Sequence, residues 1–364
     1  MPTVIVSSCG TSVFTNRQPQ DIIDLLKATS NSRISEVEEG KRDQLENVFL
    51  KREKELCDCS PEEAKRLSAE LNGLICYYGG ELSKAAGNQH IFIHTDTWAG
   101  ERAANLLCKW MRSRRLPANA EKVPALNTRN LADFHLGMAY LAKWADEVLK
   151  EYRRSGWRVV FNLVGGFKSF NGFLQVLGMF FADELYSIFE SENALLKIPR
   201  LPVEIEETAF RAIEKNLRLV RKMSWSSVPS ESVGELPETL VTVLEGEAGL
   251  SPWGELVFSH FKEKGYRKEI YPSPSGQLKF GKNFLKSLQG LAPERIQMIN
   301  ERIDDLCRYF ETGQALKRAT FKPIKGVSGI STHELYAWSD EAARRLFLHQ
   351  EGEVWVLDEL GDHL

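Results

Sequence analysis

The stretch VVFNLVGGFKSFNG, residues 159–172, runs a β-branched apolar segment into two glycines and places Lys168, Ser169 and Asn171 where a helix should begin. A strand that breaks into such a turn exposes backbone N–H groups and the positive end of a helix dipole, the chemistry that receives phosphate. Two earlier segments have the same form. TVIVSSCGTS (3–12) ends at Gly10 and its hydroxyls, and HIFIHTDT (90–97) leads into the helix-like AGERAANLLCKWMRS (99–113). The opening stretch itself leads into the helix-like FNGFLQVLGMFFADEL (170–185). Strands alternating with helices predict an α/β domain with a doubly wound parallel sheet over the first 200 residues or so.

Ligands of such a sheet bind outside the carboxyl ends of the strands, where the strand order switches. Three polar sets fall there: Cys9, Gly10, Thr11 and Ser12 with Asn16; Thr95, Asp96 and Thr97 with Gly100; and Asn162 with Gly165, Gly166, Phe167, Lys168 and Ser169. Glycines let backbone approach the ligand, hydroxyls bond phosphate or ribose, and Lys168 supplies the one positive charge. The pattern is neither GxxxxGK[ST] nor GxGxxG, so it belongs to neither the Walker loop nor the dinucleotide fingerprint.

The chain of 364 residues is 43% hydrophobic and 27% charged, enough for two or three domains with their own cores. Lys and Arg number 47 against 50 Asp and Glu, so there is no bulk cationic field and any nucleic-acid contact must be local. The six cysteines include one CxC pair, Cys57 and Cys59, but no second pair that would complete a zinc set, and they read as reduced thiols. No run reaches the roughly 18 apolar residues of a membrane span, and no basic segment precedes the first strand. The expected location is the cytoplasm, with no membrane partner.

Residues 22–83, including SRISEVEEGKRDQLENVFLKREKEL, read as a helical insertion with a solvated charged face. After KIPRLP (197–202), residues 203–222 read as one amphipathic basic helix and SWSSVPSESVGELP (224–237) as a linker. ETLVTVLEG and SPWGELVFSHFKEKG read as two short helices about a Gly turn, a winged helix-turn-helix in size. Beyond YPSPSG (271–276) come strand-like QLKFGK, helix-like PERIQMINERIDDLCRYFET, and HELYAWS, RRLFLHQ and EVWVLDEL, an α+β unit whose last strands form an antiparallel meander. Three modules are expected: 1–202, 203–272 as connector, and 273–364.

SSCGTSVFTN and NLVGGFKS resemble the two signature segments of the CRISPR-associated Rossmann-fold (CARF) sensor domains, and SIFESENALLKIPRLP resembles that family's closing strand. The resemblance implies a homodimer whose crevices share one cyclic oligoadenylate ring. Phe167 departs from it, since many relatives carry a small polar residue there. Residues 276–364 resemble the RelE superfamily of toxin ribonucleases in the order of their segments: first strand, helices around LAPERIQMINERIDDLCRYF, the basic LKRATFKPIKG, then the meander. Together the modules resemble the CRISPR-associated mRNA interferases, in which a CARF sensor is joined through a helix-turn-helix to a RelE-like nuclease. That resemblance implies an endoribonuclease of type III CRISPR-Cas antiviral defence. Cyclic tetra-adenylate would be its allosteric ligand, no cofactor would be needed, and it would cleave mRNA on the ribosome to arrest translation.

Cleavage of RNA without a metal needs a base for the 2′-hydroxyl, cations on the phosphorane and an acid for the 5′-oxygen. Lys322 and Lys325 precede the meander and Arg344 and Arg345 open its second strand. By place in the pattern, Arg345 matches the family's meander arginine and the two lysines its basic segment. Arg344 and Arg345 are adjacent on a strand, so they face opposite sides and one alone can serve the site. His333, His349 and His363 are the candidate proton carriers. Residues 271–364 carry 12 basic and 13 acidic side chains, an odd balance for a protein binding free RNA and a less odd one if the ribosome presents the substrate. Two rival readings stand beside the nuclease. A ligand-responsive transcription factor would need no RelE module, although Trp253, Leu256, Val257, Phe258 and Phe261 make SPWGELVFSHFKEKG look like packed core rather than a groove reader. A ring nuclease could use Thr11, Ser12 and Lys168 on the second messenger itself.

Overall fold

The computed structural model describes residues 1–189, 192, 194–316, 320–324, 329–340 and 342–362. Lys325 and His363 lie outside the described residues. The chain divides into two compact units, Met1–Glu204 and Ile205–Leu364. Among the described residues no helix is long and apolar enough to cross a membrane.

The first unit runs β1 (Thr3–Ser8), α1 (Ser12–Thr15), α2 (Gln20–Ala28), α3 (Glu39–Asp58), α4 (Pro61–Leu67), α5 (Ala69–Tyr77), β2 (Gln89–His94), α6 (Trp98–Ser113), β3 (Ala118–Lys122) and α7 (Leu131–Trp144). It continues through α8 (Lys150–Arg154), β4 (Arg158–Asn162), α9 (Lys168–Phe181), β5 (Glu184–Phe189) and β6 (Ala194–Ile198). The six strands order as β3-β2-β1-β4-β5-β6. Five are parallel, and β6 closes the sheet antiparallel to β5. β1 is buried along its whole length, which its continuous Val-Ile-Val run requires of a strand covered on both faces. The chain moves from β1 to β2 on one side and returns to β4 on the other, so the switch point lies between β1 and β4, where Val4 pairs with both Gln89 and Val159. The insertion is helical, and it is tied to the core by Leu45, Phe49 and Leu56 of α3, with Phe14 and Trp98 packed on Phe49.

In the second unit three local expectations fail. Residues 203–222 form two helices, α10 (Glu207–Lys215) and α11 (Leu217–Met223), broken at Asn216. The supposed linker 224–237 is packed: β7 (Val228–Pro229) pairs with a later strand, and Val228, Val233 and Leu236 are buried with Ile213 and Phe258. ETLVTVLEG is a single 3₁₀ turn and then a strand. β8 (Val241–Leu244) and β9 (Glu247–Leu250) form a hairpin about Glu245 and Gly246, whose φ values of 52° and 85° are those of a type I′ turn. Val-Thr-Val before Glu-Gly carries that alternation. α12 (Pro252–Gly265) does form, capped where the Gly254 N–H donates to Ser251 Oγ at 3.0 Å; Val257, Phe258 and Phe261 are buried in the same cluster, and Leu256 is buried as well.

A five-stranded sheet follows, in the order β10-β14-β13-β12-β11, built from β10 (Leu278–Phe280), β11 (Lys322–Pro323), β12 (His333–Trp338), β13 (Arg344–Glu351) and β14 (Val354–Gly361). The last three strands are the expected meander. After the short α13 (Phe284–Ser287), α14 (Pro293–Thr312) lays Ile299, Ile303, Leu306 and Cys307 on Leu335, Ala337, Leu346, Leu348 and Leu357, which makes one sheet face core and leaves the other polar. Arg221 of α11, 1% exposed, joins the two halves of this unit. Its Nε donates to Asp304 Oδ1 of α14 at 2.6 Å and its Nη1 to the Pro272 carbonyl at 2.5 Å, while the Tyr266 hydroxyl donates to Asp304 Oδ2 at 2.6 Å.

Candidate functional sites

At the β1/β4 switch point the two glycine-rich loops touch. A Cβ on Gly10 would lie 2.9 Å from the Gly166 nitrogen, and Gly166 has φ +81°, so the approach of the loops depends on both residues. α9 starts at Lys168 with no side chain capping its first turn, and Lys168 and Ser169 are exposed there. An uncapped helix start beside an exposed lysine leaves donors and positive charge for an anion. Thr11 stands at the start of α1, likewise making no capping bond.

The floor of the crevice is a carboxylate that sequence reasoning missed. Glu70, fully buried, accepts from the Gly10 N–H, the Ser12 hydroxyl and the Ser68 hydroxyl, each at 2.7 Å. A Cβ on Gly165 would fall 2.1 Å from Glu70 Oε1, so that glycine makes room for the carboxylate. Glu70 sits inside the charged insertion, and in SAELNG only the capping Ser68, whose hydroxyl also accepts from the Leu71 N–H at 3.2 Å, hints at its fixed position.

Other named residues brace the loops. Asn162 Nδ2 donates to Ser7 Oγ and to the Glu70 carbonyl, both at 3.1 Å. Thr97 caps α6, its Oγ1 accepting from the Gly100 N–H at 3.2 Å and lying 2.8 Å from Thr95 Oγ1. Asp96 pairs with Arg33 at 2.6 Å and Lys122 at 2.8 Å; burial pushes its carboxyl up, and those partners more than reverse the shift. Asn16 Nδ2 reaches the Arg66 carbonyl at 3.4 Å, and Phe167 stacks on Phe170 with centroids 5.5 Å apart. Cys9 is buried, and its thiol is pushed well above the ordinary range by burial and by Glu70.

The polar face of the second sheet gathers a different set. Register places Lys322, Glu334 and Phe347 in one row and Tyr336 beside Arg345 in the next. Glu334 and Arg345 are both buried and form an ion pair; Lys322 Nζ lies 3.6 Å from the same Glu334 Oε1, and Arg345 Nη2 donates to the Tyr336 hydroxyl at 2.7 Å. Burial would raise the Glu334 carboxyl, but Arg345 and Lys322 hold it below its usual value, so it is an anion at neutral pH. Arg344 points away from this set and pairs with the exposed Asp362 at 3.4 Å.

His349 shares the face with Arg345, four residues along β13, roughly 13 Å between backbones. Its Nδ1 lies 2.8 Å from Asp358 Oδ1, Asp358 Oδ2 accepts from the Ser331 hydroxyl at 2.7 Å, and Nε2 lies 3.1 Å from the exposed Glu351. Burial lowers the imidazole's pKa, and the two carboxylates more than reverse that. His333 is on the other face, stacked on Phe321, and burial lowers its pKa. Lys322 and Arg345 thus meet, His349 stands further along the same face, and Arg344 and His333 do not join them. Glu334, Tyr336 and Asp358 went unnamed in the sequence because HELYAW and EVWVLDEL read simply as strands.

Residues 65–201 match the family model described as CRISPR-associated protein (Cas_APE2256). No curated protein matches the chain. The match associates the chain with CRISPR systems. It lies wholly within the first unit, running from α4 through Glu70, β2 and the Lys168 loop to the end of β6, and it includes neither Gly10 nor any part of the second unit. Of the crevice it therefore covers the Glu70 floor and the β4 side.

Proposed function

We propose that the chain is an endoribonuclease of CRISPR-based antiviral defence, switched on by a cyclic oligoadenylate, with cyclic tetra-adenylate as the ring, and directed at mRNA on the ribosome. A dimer of the first unit would share one ring between two crevices, where Lys168 and the open first turn of α9 receive its phosphates. The observation that carries the nuclease reading is the convergence of Lys322 and Arg345 on one carboxylate of the polar sheet face, with the Tyr336 hydroxyl on the same guanidinium and the Asp358-held His349 further along the face. Two cations that already hold an anion, Glu334, can hold a phosphodiester in its place. Once Glu334 is displaced, the guanidinium and the ammonium face the charge that develops on the phosphorane.

Asp358 fixes the imidazole of His349 from the Nδ1 side and leaves Nε2 toward the exposed Glu351, which substrate can displace. His349 then takes the 2′-hydroxyl proton or returns one to the 5′-oxygen. The CRISPR match of the first unit supports the activator class, since a sensor of the invader signal belongs with such a system. The test is to incubate the full chain with translating ribosomes and each cyclic oligoadenylate and to map mRNA ends. New ends should appear with one ring alone and vanish in Arg345→Ala, whose ring binding is intact, because loss of one transition-state donor costs about a hundredfold or more. Ends that persist at the wild-type rate in Arg345→Ala would refute the assignment of this face.

A further inference from the structure

The core side of the same sheet carries a cleft of about 530 Å³, and its walls are rings. Tyr309 and Phe310 come from the end of α14, Phe321 and Pro323 flank β11, His333 opens β12 and Trp355 lies on β14. Phe310 stacks on Trp355 with centroids 5.2 Å apart and planes 5° apart, and Phe321 stacks on His333 at 4.9 Å and 20°. The two stacks meet edge to face, Phe321 and His333 standing at 81° and 85° to Trp355. All five aromatic rings are partly exposed, and among the described residues Pro323 is the one aliphatic side chain of the lining. The volume is that of a small-molecule site, and apolar walls of this kind close on flat, aromatic ligands.

The geometry points to a nucleobase subsite: the cleft takes one unpaired base of the RNA whose phosphate lies on the polar face. This deepens the nuclease reading and rests on it for the identity of the polymer. Edge strand β11 supplies the link. Phe321 and Pro323 belong to the cleft, while Lys322 between them turns to Glu334 on the opposite face, 47% exposed. A single strand crossing that edge can lay a base among the rings while its neighbouring phosphodiester meets Lys322 and Arg345. Stacking accepts any base, and the bounded width of the cleft sets the preference at that position of the substrate. A proline-rich peptide also fits aromatic walls, but the cation at the rim, shared with the polar face, favours a polyanion.

The test uses the full chain and short single-stranded RNAs, 2′-O-methylated throughout so that they cannot be cleaved, read by fluorescence anisotropy, with each mononucleotide read by saturation-transfer NMR. Phe321→Leu keeps bulk while removing the ring, and Tyr309→Ala opens the rim; near-UV circular dichroism verifies the fold of each. Either should weaken RNA binding by about five- to a hundredfold, the worth of one stacked base. An abasic site at one RNA position should cause the same loss and show no further loss in Phe321→Leu. Unchanged affinity in both folded variants, no binding of RNA or any mononucleotide at millimolar concentration, or binding of a polyproline peptide in their stead would overturn the subsite. If ring-stimulated cleavage persists in that case, the nuclease reading stands without it. If the chain cleaves nothing but Phe321→Leu still loses RNA, the subsite stands and the nuclease reading falls.

Discussion

Glu334→Gln isolates the pair at the centre of the polar face. Gln keeps the shape of the side chain and one acceptor oxygen but removes the charge that balances Arg345, 3% exposed. Removing one partner of a buried pair costs about 3–5 kcal/mol because the other charge is left without compensation. Here the low end applies, since the guanidinium keeps the Tyr336 hydroxyl. About 3 kcal/mol in a unit of this size lowers its Tm by roughly 6–12 °C.

The pH dependence has a definite sign. The Glu334 carboxyl is held below 4.5, so its contribution is complete above that value and is lost as pH falls through the lower folded-state value. The gap between wild type and Glu334→Gln should therefore close in acid. Equilibrium urea unfolding followed by near-UV circular dichroism, at neutral pH and then at stepwise lower pH, measures it. Inorganic phosphate should restabilise Glu334→Gln more than wild type, because the vacated guanidinium then accepts an external anion. A neutral-pH loss below about 0.5 kcal/mol, the range of an ordinary surface substitution, would refute the reasoning, as would a gap that is constant with pH.

Three further outcomes can be measured directly. Lys168→Ala should weaken binding of the cyclic oligoadenylate about tenfold to a hundredfold per protomer in calorimetry, the worth of one charge-assisted phosphate contact. Asp358→Asn should lower the His349 titration midpoint seen by NMR. In the wild type the raised pKa stabilises the fold below 6.5, and that contribution fades as pH rises through the raised value, so the variant's stability should be flatter across this range. Gly165→Ala drives a Cβ to 2.1 Å from Glu70 Oε1 and must unseat a carboxylate held by three donors; a loss of about 3 kcal/mol or more in chemical denaturation is expected, with ring binding weakened as the Gly10 loop shifts.

The sequence made the first sheet readable where burial dictates composition. TVIVSS, HIFIH and RVVFN are apolar because they lie at the middle of a covered sheet, whereas β3, ANAEK, is an edge strand that gives the core only Ala118 and Ala120 and leaves no such trace. The meander was legible for the same reason. ETLVTVLEG was misread as helix because a run as short as VTVL fits either period, and the turn residues Glu245 and Gly246 decide it. Lys322 and Arg345 could be named from charge and position. Glu334, Asp358 and Glu70 could not, since what makes each carboxylate part of a site is the cation or backbone donor that strand register or an insertion 60 residues away brings to it.

Arg221 has a mechanical consequence for the second unit. The guanidinium is held at once by Asp304 and the Pro272 carbonyl, with Tyr266 on the other carboxylate oxygen, so shifting α11 against α14 must break charge-assisted bonds in a buried setting. α11 and α14 are therefore keyed like two gears with one shared tooth. A twist delivered at α11 must rotate α14, and with α14 the whole apolar side of the sheet that sets where β12 and β13 present their charges. Cutting the chain anywhere between Arg221 and Asp304 would leave that tooth in place only while the pieces stay associated, and separating them would strand a carboxylate against Cys307 and the sheet core.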